Sequence, residues 1–276
     1  MPRFLMCPPD HYEVAYAINE FMAPDAWAQD AERLSALAHE EWSGLKSAIE
    51  AAGGHVEMLG PTPGLPDLVF TANCAVVLDG DVLLGRYRAE PRRGEEPITE
   101  RWFRKAFPNV GKQAEGVFQE GLGDSVWDPV RKLFWAGHGP RSSQASHVAI
   151  AERFEAEVVS LPLVSTRFYH MDVCLMPLSG GHVLYLPSAF DEAGLTEIRD
   201  RAGALAVPVS EDDANLFAIN CVEIDGTVIL NDCTPELQSA LEGRGYAVVK
   251  TPLSTFAMGG GGAFCLTLRL DWRKSG

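Results

Sequence analysis

Short apolar runs recur along the chain in pairs, each pair joined by a turn that contains Gly or Asp. The five segments with this pattern begin at Asn73, Ser125, Asp172, Asn220 and Ala263. Two of the turns read Asp-Gly, which strongly favours a β-hairpin. The last segment holds one apolar run, residues 263–270, and residues 3–7 are its candidate partner. The pattern predicts four hairpins and a fifth strand pair made from the two ends of the chain.

Helical periodicity separates these hairpins. From Asp25, a predicted N-cap, to Gly53, a predicted C′ residue, apolar residues spaced by threes and fours define one buried face. Shorter helices are predicted at residues 97–107, 142–156, 192–202 and 234–243, the last with Thr234 as its N-cap. The repeat period of roughly 45–50 residues is typical of propellers and solenoids.

This periodicity predicts a closed ring of five units in a single α/β domain, residues 1–276. The N- and C-terminal strands would complete one unit of the ring. An ordinary α+β domain with accidental internal similarity is the alternative.

Charge and cysteine content limit the partners and the location. Lys and Arg number 23 against 38 Asp and Glu, for a formal net charge of -15. A surface this acidic repels phosphate, so neither a nucleic acid nor a membrane is an expected partner. No apolar run approaches the roughly 18 residues of a membrane-spanning helix. The six cysteines form no C-x-x-C pair and no export signal is recognisable, which predicts free thiols and a cytoplasmic protein.

Candidate chemistry lies at the edges of the repeats. Four polar clusters stand there: residues 70–73, 120–124, 168–172 and 258–265. Equivalent edges of a closed ring converge on its axis, which would bring a thiol, an imidazole and several carboxylates into one cavity. A thiolate is a nucleophile, an imidazole can protonate a leaving amine and then deprotonate water, and carboxylates bind a planar cation. The combination predicts substitution at a guanidinium carbon.

Taken singly, each residue also has a structural interpretation. A cysteine in an apolar strand is usually a small buried hydrophobe, whereas Cys265 follows four glycines that allow close approach of the backbone. A lone His170 is more often structural than catalytic, and Glu120 and Asp124 could each cap a turn. Their shared position at repeat edges favours the functional interpretation.

In combination these motifs resemble the guanidino-group-modifying superfamily, whose fold is the pentein. Within it, the dimethylarginine dimethylaminohydrolases and the arginine dihydrolases are the most similar branch. The likeness spans essentially the whole chain, through residues 6–10, 16–19, 69–73, 120–124, 137–142, 168–172 and the Gly-rich segment that ends at Cys265.

The resemblance implies a five-bladed α/β propeller of ββαβ repeats, with the active site on its pseudo-fivefold axis. It implies Cys265 as the nucleophile, His170 as acid and then base, and Glu120 as a third catalytic residue that grips the guanidinium together with Asp172. The implied substrate-binding residues are Asn19, Asn73, Arg88, Asp124, Arg141 and Asp172, with Arg141 as the partner of a substrate carboxylate. No metal ion or organic cofactor is implied. The expected ligand is a small cationic amino acid, and the protein could be a homo-oligomer.

Asn73 departs from part of the superfamily. Arginine deiminases and dimethylargininases have Asp in the corresponding region of the pocket, whereas Asn occurs in the arginine-dihydrolase-like branch. The predicted activity is hydrolysis of arginine or an N-methylated arginine, releasing an amine or ammonia together with citrulline or ornithine. An amidinotransferase and a non-catalytic binding propeller are the alternatives.

Overall fold

A computed structural model describes residues 1–275, which fold into five three-stranded sheets. The strands are β1 (Arg3–Met6), β2 (His55–Met58), β3 (Ala75–Leu78), β4 (Asp81–Leu84), β5 (Asn109–Gly111), β6 (Ser125–Asp128), β7 (Leu133–His138), β8 (Glu157–Pro162), β9 (Leu175–Pro177), β10 (Val183–Tyr185), β11 (Ala206–Pro208), β12 (Val222–Ile224), β13 (Thr227–Leu230), β14 (Ala247–Lys250) and β15 (Leu268–Arg269). Blades 1 to 4 are β3–β5, β6–β8, β9–β11 and β12–β14, and blade 5 is β15, β1 and β2.

One strand order recurs in all five blades. The middle strand pairs antiparallel with the first strand and parallel with the third, and a helix connects the middle strand to the third. The α-helices are α1 (Pro24–Ala28), α2 (Ala31–Ala51), α3 (Glu96–Ala106), α4 (Gly121–Asp124), α5 (Ser146–Phe154), α6 (Glu192–Ala202), α7 (Glu211–Asn215), α8 (Pro235–Glu242) and α9 (Ser254–Ala257). The predicted five-bladed propeller of ββαβ repeats is confirmed.

The two ends of the chain meet in blade 5. β1 pairs antiparallel with β15, with Phe4 opposite Arg269 and Leu5 opposite Leu268. The partner predicted for the lone C-terminal strand is therefore the observed one. A single domain over residues 1–276 stays a prediction, and residue 276 lies outside the described residues. Within residues 1–275, no helix combines the length and apolarity needed to cross a membrane.

The two Asp-Gly turns are hairpin turns, as predicted. Asp79 and Gly80 join β3 to β4 with φ values of 54° and 82°, and Asp225 and Gly226 join β12 to β13 with 47° and 84°. Positive φ at both central residues defines the type I′ turn, whose twist matches that of the flanking strands. Asp and Gly tolerate this backbone better than most residues.

The predicted helices are found with shifted ends. The helix expected from Asp25 to Gly53 is split into α1 and α2, so Asp25 is not its N-cap. Pro24 starts α1 because its fixed φ suits the first helical turn, and Asp30 leaves the helical region with φ -145°. Gly53, with φ 91°, ends α2 as predicted. Thr234 caps α8 by accepting a hydrogen bond from Leu237 N.

The helix predicted over residues 142–156 begins only at Ser146. Ser142 is used elsewhere: its hydroxyl donates to Asp124 (2.6 Å) and accepts from Glu120 N (3.0 Å). These two hydrogen bonds hold Ser142 against residues 120–124 and outside the helix.

Hydrogen bonds close the ring at the residues directly before the first strand of each blade. We call residues 71–74, 120–124, 170–174, 219–221 and 263–267 the entry segments. They are linked in a cycle: Ala72 N donates to Cys265 O (3.1 Å), Asn73 Nδ2 to Glu120 O (3.2 Å), Met171 N to Asp124 Oδ1 (3.1 Å), Asn220 Nδ2 to Asp172 O (3.2 Å) and Phe264 N to Asn220 O (3.2 Å). The polar clusters predicted at the repeat edges are thereby brought together.

Glu41 on α2 anchors the chain that leads to the last entry segment. Its carboxylate accepts hydrogen bonds from the backbone N–H and the hydroxyl of both Ser254 (2.8 and 2.6 Å) and Thr255 (2.9 and 2.5 Å). Glu41 is buried, with 7% of its surface exposed. Four donors at the start of α9 therefore depend on a single side chain.

We expect Glu41→Ala to lower the free energy of unfolding by about 2–4 kcal/mol, because it leaves the N–H and the hydroxyl of the buried Thr255 without acceptors. Urea denaturation would measure the loss. Glu40→Ala is the matched control, since the neighbouring Glu40 is exposed and its removal should change stability by less than about 0.5 kcal/mol. Equal stabilities of the two variants would contradict this role for Glu41.

Candidate active site

The Gly-rich turn before Cys265 is packed too tightly for side chains. Gly260 has φ 90°, and a Cβ at this position would lie 2.7 Å from both Asn19 Nδ2 and Tyr169 Oη. A Cβ at Gly261 would lie 2.7 Å from the Phe70 ring and 2.9 Å from Cys265 Cβ. The glycines therefore let the turn approach the cavity that Cys265 lines.

The Cys265 thiol lies between Asp172 and Asn220. Sγ donates to Asp172 Oδ2 at 3.2 Å, and Asn220 Nδ2 donates to Sγ at 3.1 Å. Asn220 Oδ1 accepts the backbone N–H of Gly262 (2.9 Å) and of Cys265 itself (3.0 Å). The nucleophile predicted from the sequence is thus held at its side chain and at its backbone.

Burial keeps this thiol neutral. Burial and the adjacent Asp172 carboxylate raise the pKa of Cys265 well above the usual range, against hydrogen bonds from Gly262 and Asn220 that lower it. Burial also raises the pKa of Asp172 to about 7, although His170, Cys265 and Asn220 act in the opposite direction. Burial raises the pKa of the other five cysteines as well. Cys265 therefore differs from the other five cysteines in its contacts with Asp172 and Asn220, and not in the direction of its pKa shift.

His170 is held by a buried carboxylate. Its Nε2 lies 2.8 Å from Glu120 Oε2, which also accepts from Arg141 Nη1 at 3.1 Å. Glu120 Oε1 accepts from Arg88 N at 3.1 Å. Burial alone would raise the pKa of Glu120, but Arg141 and His170 hold it well below the usual range. Glu120 therefore carries a fixed negative charge next to the imidazole.

Asp124 lies near the same ring nitrogen of His170. Its Oδ2 lies 4.0 Å from His170 Nε2 and accepts from the Ser142 hydroxyl at 2.6 Å, while Oδ1 accepts from Met171 N. Burial raises the pKa of Asp124 despite the nearby His170. Both oxygens are engaged with the protein.

A second buried ionic cluster contacts Asn73. Arg92 forms two 2.8 Å hydrogen bonds with Glu95, donates to Asn73 Oδ1 at 2.8 Å and donates to Asp67 O at 3.1 Å. Tyr16 donates to Asp67 Oδ2 at 3.0 Å. Both ends of the Asn73 amide are occupied, because its Nδ2 donates to Glu120 O.

These groups surround one small enclosed cavity. Its lining consists of Ile18, Asn19, Met22, Asp67, Phe70, Asn73, Arg92, Arg141, Tyr169, His170, Gly259, Gly260 and Cys265. The volume is about 10 Å³, about enough for one water. Among the described residues, Asp67 Oδ1 and Asp172 Oδ1 are buried carboxylate oxygens with no hydrogen-bond partner. Asp67 lines the cavity, and Asp172 contacts Cys265, which also lines it, so these free acceptors suit a ligand that carries N–H groups.

Residues 18–22 close the cavity on one side. Asn19 Nδ2 donates to Gly259 O (3.0 Å) and Tyr169 Oη (3.2 Å), and Arg141 Nη2 donates to Ile18 O (2.8 Å). The Arg141 guanidinium lies 4.4 Å from the Tyr169 ring centroid. Residues 18–22 and the Gly-rich turn thus form a wall of the cavity.

The predicted site residues fall into three groups. Cys265, His170, Arg141, Asn19 and Asn73 line the cavity, and Asp172 contacts the nucleophile.

Glu120 and Asp124 lie outside the cavity lining; the Glu120 carboxylate contacts His170 and Arg141, and its contact with a guanidinium stays a prediction. The Arg88 side chain points elsewhere: it donates to Arg141 O and lies 5.0 Å from the Phe118 ring.

Sequence reasoning missed Asp67, Arg92, Tyr169 and Asn220 as parts of the site. Asn220-Cys221 repeats Asn73-Cys74 at the equivalent position of another blade, and this repetition was the available signal. Arg92 stands in an Arg-rich stretch where nothing marks it as buried. Among residues 1–275, no cluster of three or more His, Cys, Asp and Glu side chains is arranged to hold a metal ion.

The family model described as eukaryotic N,N dimethylarginine dimethylhydrolase matches residues 9–271. The chain belongs to the dimethylarginine dimethylaminohydrolase family. The chain is 33% identical to the N(G),N(G)-dimethylarginine dimethylaminohydrolase of Mycobacterium tuberculosis, over 97% of this chain and 85% of the relative. It is 40% identical to the bifunctional arginine dihydrolase/ornithine cyclodeaminase AgrE of Nostoc sp., over 97% of this chain.

The chain spans about two fifths of the bifunctional relatives, 38% of AgrE and 37% of ArgZ from Synechocystis sp.. The crystal structure of the N-terminal domain of ArgZ, a cysteine-to-serine mutant bound to substrate, superposes with a TM-score of 0.92 at 38% identity. That match covers 99% of this chain and all of the domain. A dimethylarginine dimethylaminohydrolase adduct at 21% identity, with a TM-score of 0.77, supports the family fold.

The raised pKa of Asp172 predicts a pH-dependent cost to stability. The folded protein keeps this carboxyl protonated up to about pH 7, whereas the unfolded chain loses the proton near pH 4. Because the folded state binds more protons between these values, the contribution of Asp172 to the free energy of unfolding falls as pH rises through this window.

Asp172→Asn removes this titration. The free energy of unfolding of the variant minus that of wild type should increase by up to about 4 kcal/mol as the pH rises from 4 to 7. Denaturant titrations at pH 4, 5.5 and 7 measure the gain, and Asp200→Asn, at an exposed position, is the control. A difference from wild type that stays constant with pH would contradict the buried, protonated carboxyl.

Proposed function

We propose that this protein hydrolyses a C–N bond at the guanidinium carbon of arginine or an N-methylated arginine, through a covalent amidino intermediate on Cys265. The observation that carries the proposal is that Cys265 and the Glu120-held His170 line one buried cavity, with Asp172 in contact with the Cys265 thiol. Relatives named arginine dihydrolase and dimethylarginine dimethylaminohydrolase support the same reaction class.

The backbone around Cys265 favours a cationic substrate over an acyl substrate. Acyl-transfer enzymes direct backbone N–H groups at the oxyanion that forms in the transition state. Here the Cys265 N–H is already bonded to Asn220 Oδ1, as is the Gly262 N–H. A guanidinium substrate needs no oxyanion hole, because thiolate addition neutralises its positive charge.

The substrate itself would create the nucleophile. A neutral thiol in a buried site ionises when a cation binds beside it. A guanidinium at the unpartnered Asp172 Oδ1 would supply that charge next to Sγ. Asp172, with a pKa raised to about 7 by burial, is in position to accept the thiol proton at 3.2 Å.

In the first half-reaction, the thiolate adds to the guanidinium carbon and a C–S bond forms. His170 donates a proton to the leaving nitrogen, the C–N bond breaks, and ammonia or a methylated amine departs. The His170 Nε2 contact with the Glu120 carboxylate fixes the orientation of the imidazole for this step. The product is an intermediate in which the amidino carbon of the substrate is covalently bonded to Cys265 Sγ.

In the second half-reaction, neutral His170 takes a proton from water as the oxygen adds to the same carbon. The C–S bond then breaks, the thiolate is regenerated and a ureido product remains, which is citrulline when the substrate is arginine. Ornithine would require a second round that releases a second ammonia and carbon dioxide.

The remaining groups of the cavity suit the main-chain end of an amino acid. Arg141 lines the cavity and can pair with a carboxylate, as the sequence predicted, while the unpartnered Asp67 Oδ1 can accept from an ammonium group. Cytoplasmic location also belongs to this proposal and is supported by six cysteines that are all free. A homo-oligomer stays a prediction.

Cys265→Ser should reduce turnover by at least roughly 1,000-fold while the protein remains folded. Purified enzyme would be incubated with arginine, monomethylarginine, dimethylarginine and agmatine, and products identified by mass spectrometry. Agmatine lacks the carboxylate that Arg141 would bind, so it should be the poorest substrate.

Cys233→Ser is the matched control, since Cys233 is a free, buried cysteine outside the cavity lining, and it should keep wild-type turnover. Turnover by Cys265→Ser, or a trapped adduct on a peptide without Cys265, would overturn the proposal.

Asn73 should determine how far hydrolysis proceeds. Asn73→Asp keeps an acceptor for Arg92 but removes the N–H group that donates to Glu120 O, so the wall of the cavity gains a negative charge. We expect a several-fold change in the citrulline-to-ornithine ratio from arginine, or in the preference for methylated arginine. An unchanged ratio with unchanged kcat would assign Asn73 to ring closure alone.

A further inference from the structure

Asn220 is fully buried and contacts the reacting sulfur. Its relative exposure is 0%, and it is the middle residue of the entry segment of blade 4, directly before Cys221. Two backbone N–H groups, those of Gly262 and Cys265, point at one end of its amide. That end must be the oxygen, because an NH₂ group cannot accept them. The orientation of the amide is therefore fixed, and its NH₂ group faces Cys265 Sγ and Asp172 O.

This geometry gives the two ends of the amide different tasks. The oxygen holds the Gly262–Cys265 turn through two backbone hydrogen bonds. The nitrogen places a neutral donor 3.1 Å from Sγ, and a donor at this distance stabilises a thiolate more than a thiol. Asp172 is the titratable side chain in hydrogen-bond contact with the sulfur. The titratable groups that line the cavity beside Cys265 are Tyr169, His170, Asp67, Arg92 and Arg141. Among the described residues, Asn220 is the only side-chain donor in hydrogen-bond contact with Sγ.

Asn73, the repeat-equivalent residue in blade 1, lacks this role. Its amide joins Arg92 to the Glu120 carbonyl oxygen and makes no hydrogen bond with sulfur. An Asn-Cys pair at the start of a hairpin thus closes the ring in both blades, whereas the contact with the nucleophile is confined to Asn220.

We propose that Asn220 is a further catalytic residue, whose amide N–H stabilises the Cys265 thiolate during attack on the substrate and during its departure from the intermediate. The inference rests on the proposed function for its kinetic consequence. Its effect on the thiol itself can be measured without any substrate.

Two variants separate the donor from the scaffold. Asn220→Asp keeps an oxygen for the two backbone N–H groups and replaces the donor near Sγ by an acceptor. Asn220→Ala removes both functions. Asn220→Ala adds no charge beside Sγ, so if Asn220 only holds the turn, the ionisation of the thiol should be unchanged in the Ala variant.

The primary readout is the rate of iodoacetamide alkylation of Cys265 from pH 5 to 11, followed by peptide mass spectrometry. We expect the pH midpoint of the alkylation rate to move at least one unit towards alkaline pH in both variants. This shift corresponds to a tenfold lower thiolate fraction at a given pH below the midpoint. With arginine, kcat should fall roughly 100-fold, as for the loss of one preorganised donor, while KM changes less than about threefold.

Asn231→Asp is the matched control. Asn231 also bridges two backbone groups, accepting from Leu253 N and donating to Leu216 O, but it lies outside the cavity lining. Its alkylation profile and kcat should equal those of wild type.

An unmoved midpoint in Asn220→Asp overturns the proposal. Should that variant fail to fold, Asn220→Ala decides: reduced kcat with an unmoved midpoint would leave Asn220 a scaffold residue. Failure of the proposed function is recognised separately, as turnover by Cys265→Ser.

Discussion

The closed cycle of hydrogen bonds among the five entry segments is the constraint on which the site depends. Each blade is small, with strands of two to six residues, and an isolated sheet of this size has little stability of its own. Joining the first blade to the last gives every entry segment two neighbours. The polar residues of these segments are thereby held around one axis, where their charges must be satisfied by one another and not by water.

Burial of so many ionisable groups explains why they are arranged in chains. Glu120 keeps its charge because Arg141 and His170 lie against it, and Arg92 is charged between Glu95 and Asp67. Two carboxylate oxygens, on Asp67 and Asp172, are left without partners. Unpartnered buried acceptors cost stability, and Asp67 lines the cavity, which supports the cationic substrate proposed above.

The local sequence pattern was sufficient to predict the hairpins but not every other secondary-structure element. The Asp-Gly turns and the apolar runs of the first two strands of each blade can be recognised in the sequence. Third strands such as β14 are largely exposed, and no apolar pattern marks them. At the site, Cys265 and His170 stood out because their motifs flank hairpins. Arg92 and Asn220 did not, since their importance lies in contacts with residues distant in sequence. That Glu120 faces His170 could also not be predicted, because residue type does not encode which oxygens are occupied.

The neutral state of the nucleophile follows from the same arrangement. Burial and Asp172 oppose ionisation of Cys265, and only the amide of Asn220 and the Gly262 N–H favour it. A cation in the cavity would reverse that balance, because it neutralises Asp172 and attracts the thiolate. Without a cation the sulfur is a poor nucleophile and a poor target for oxidants, since both reactions require the thiolate. Under the proposed function, a site built in this way couples the reactivity of the thiol to the charge of the substrate.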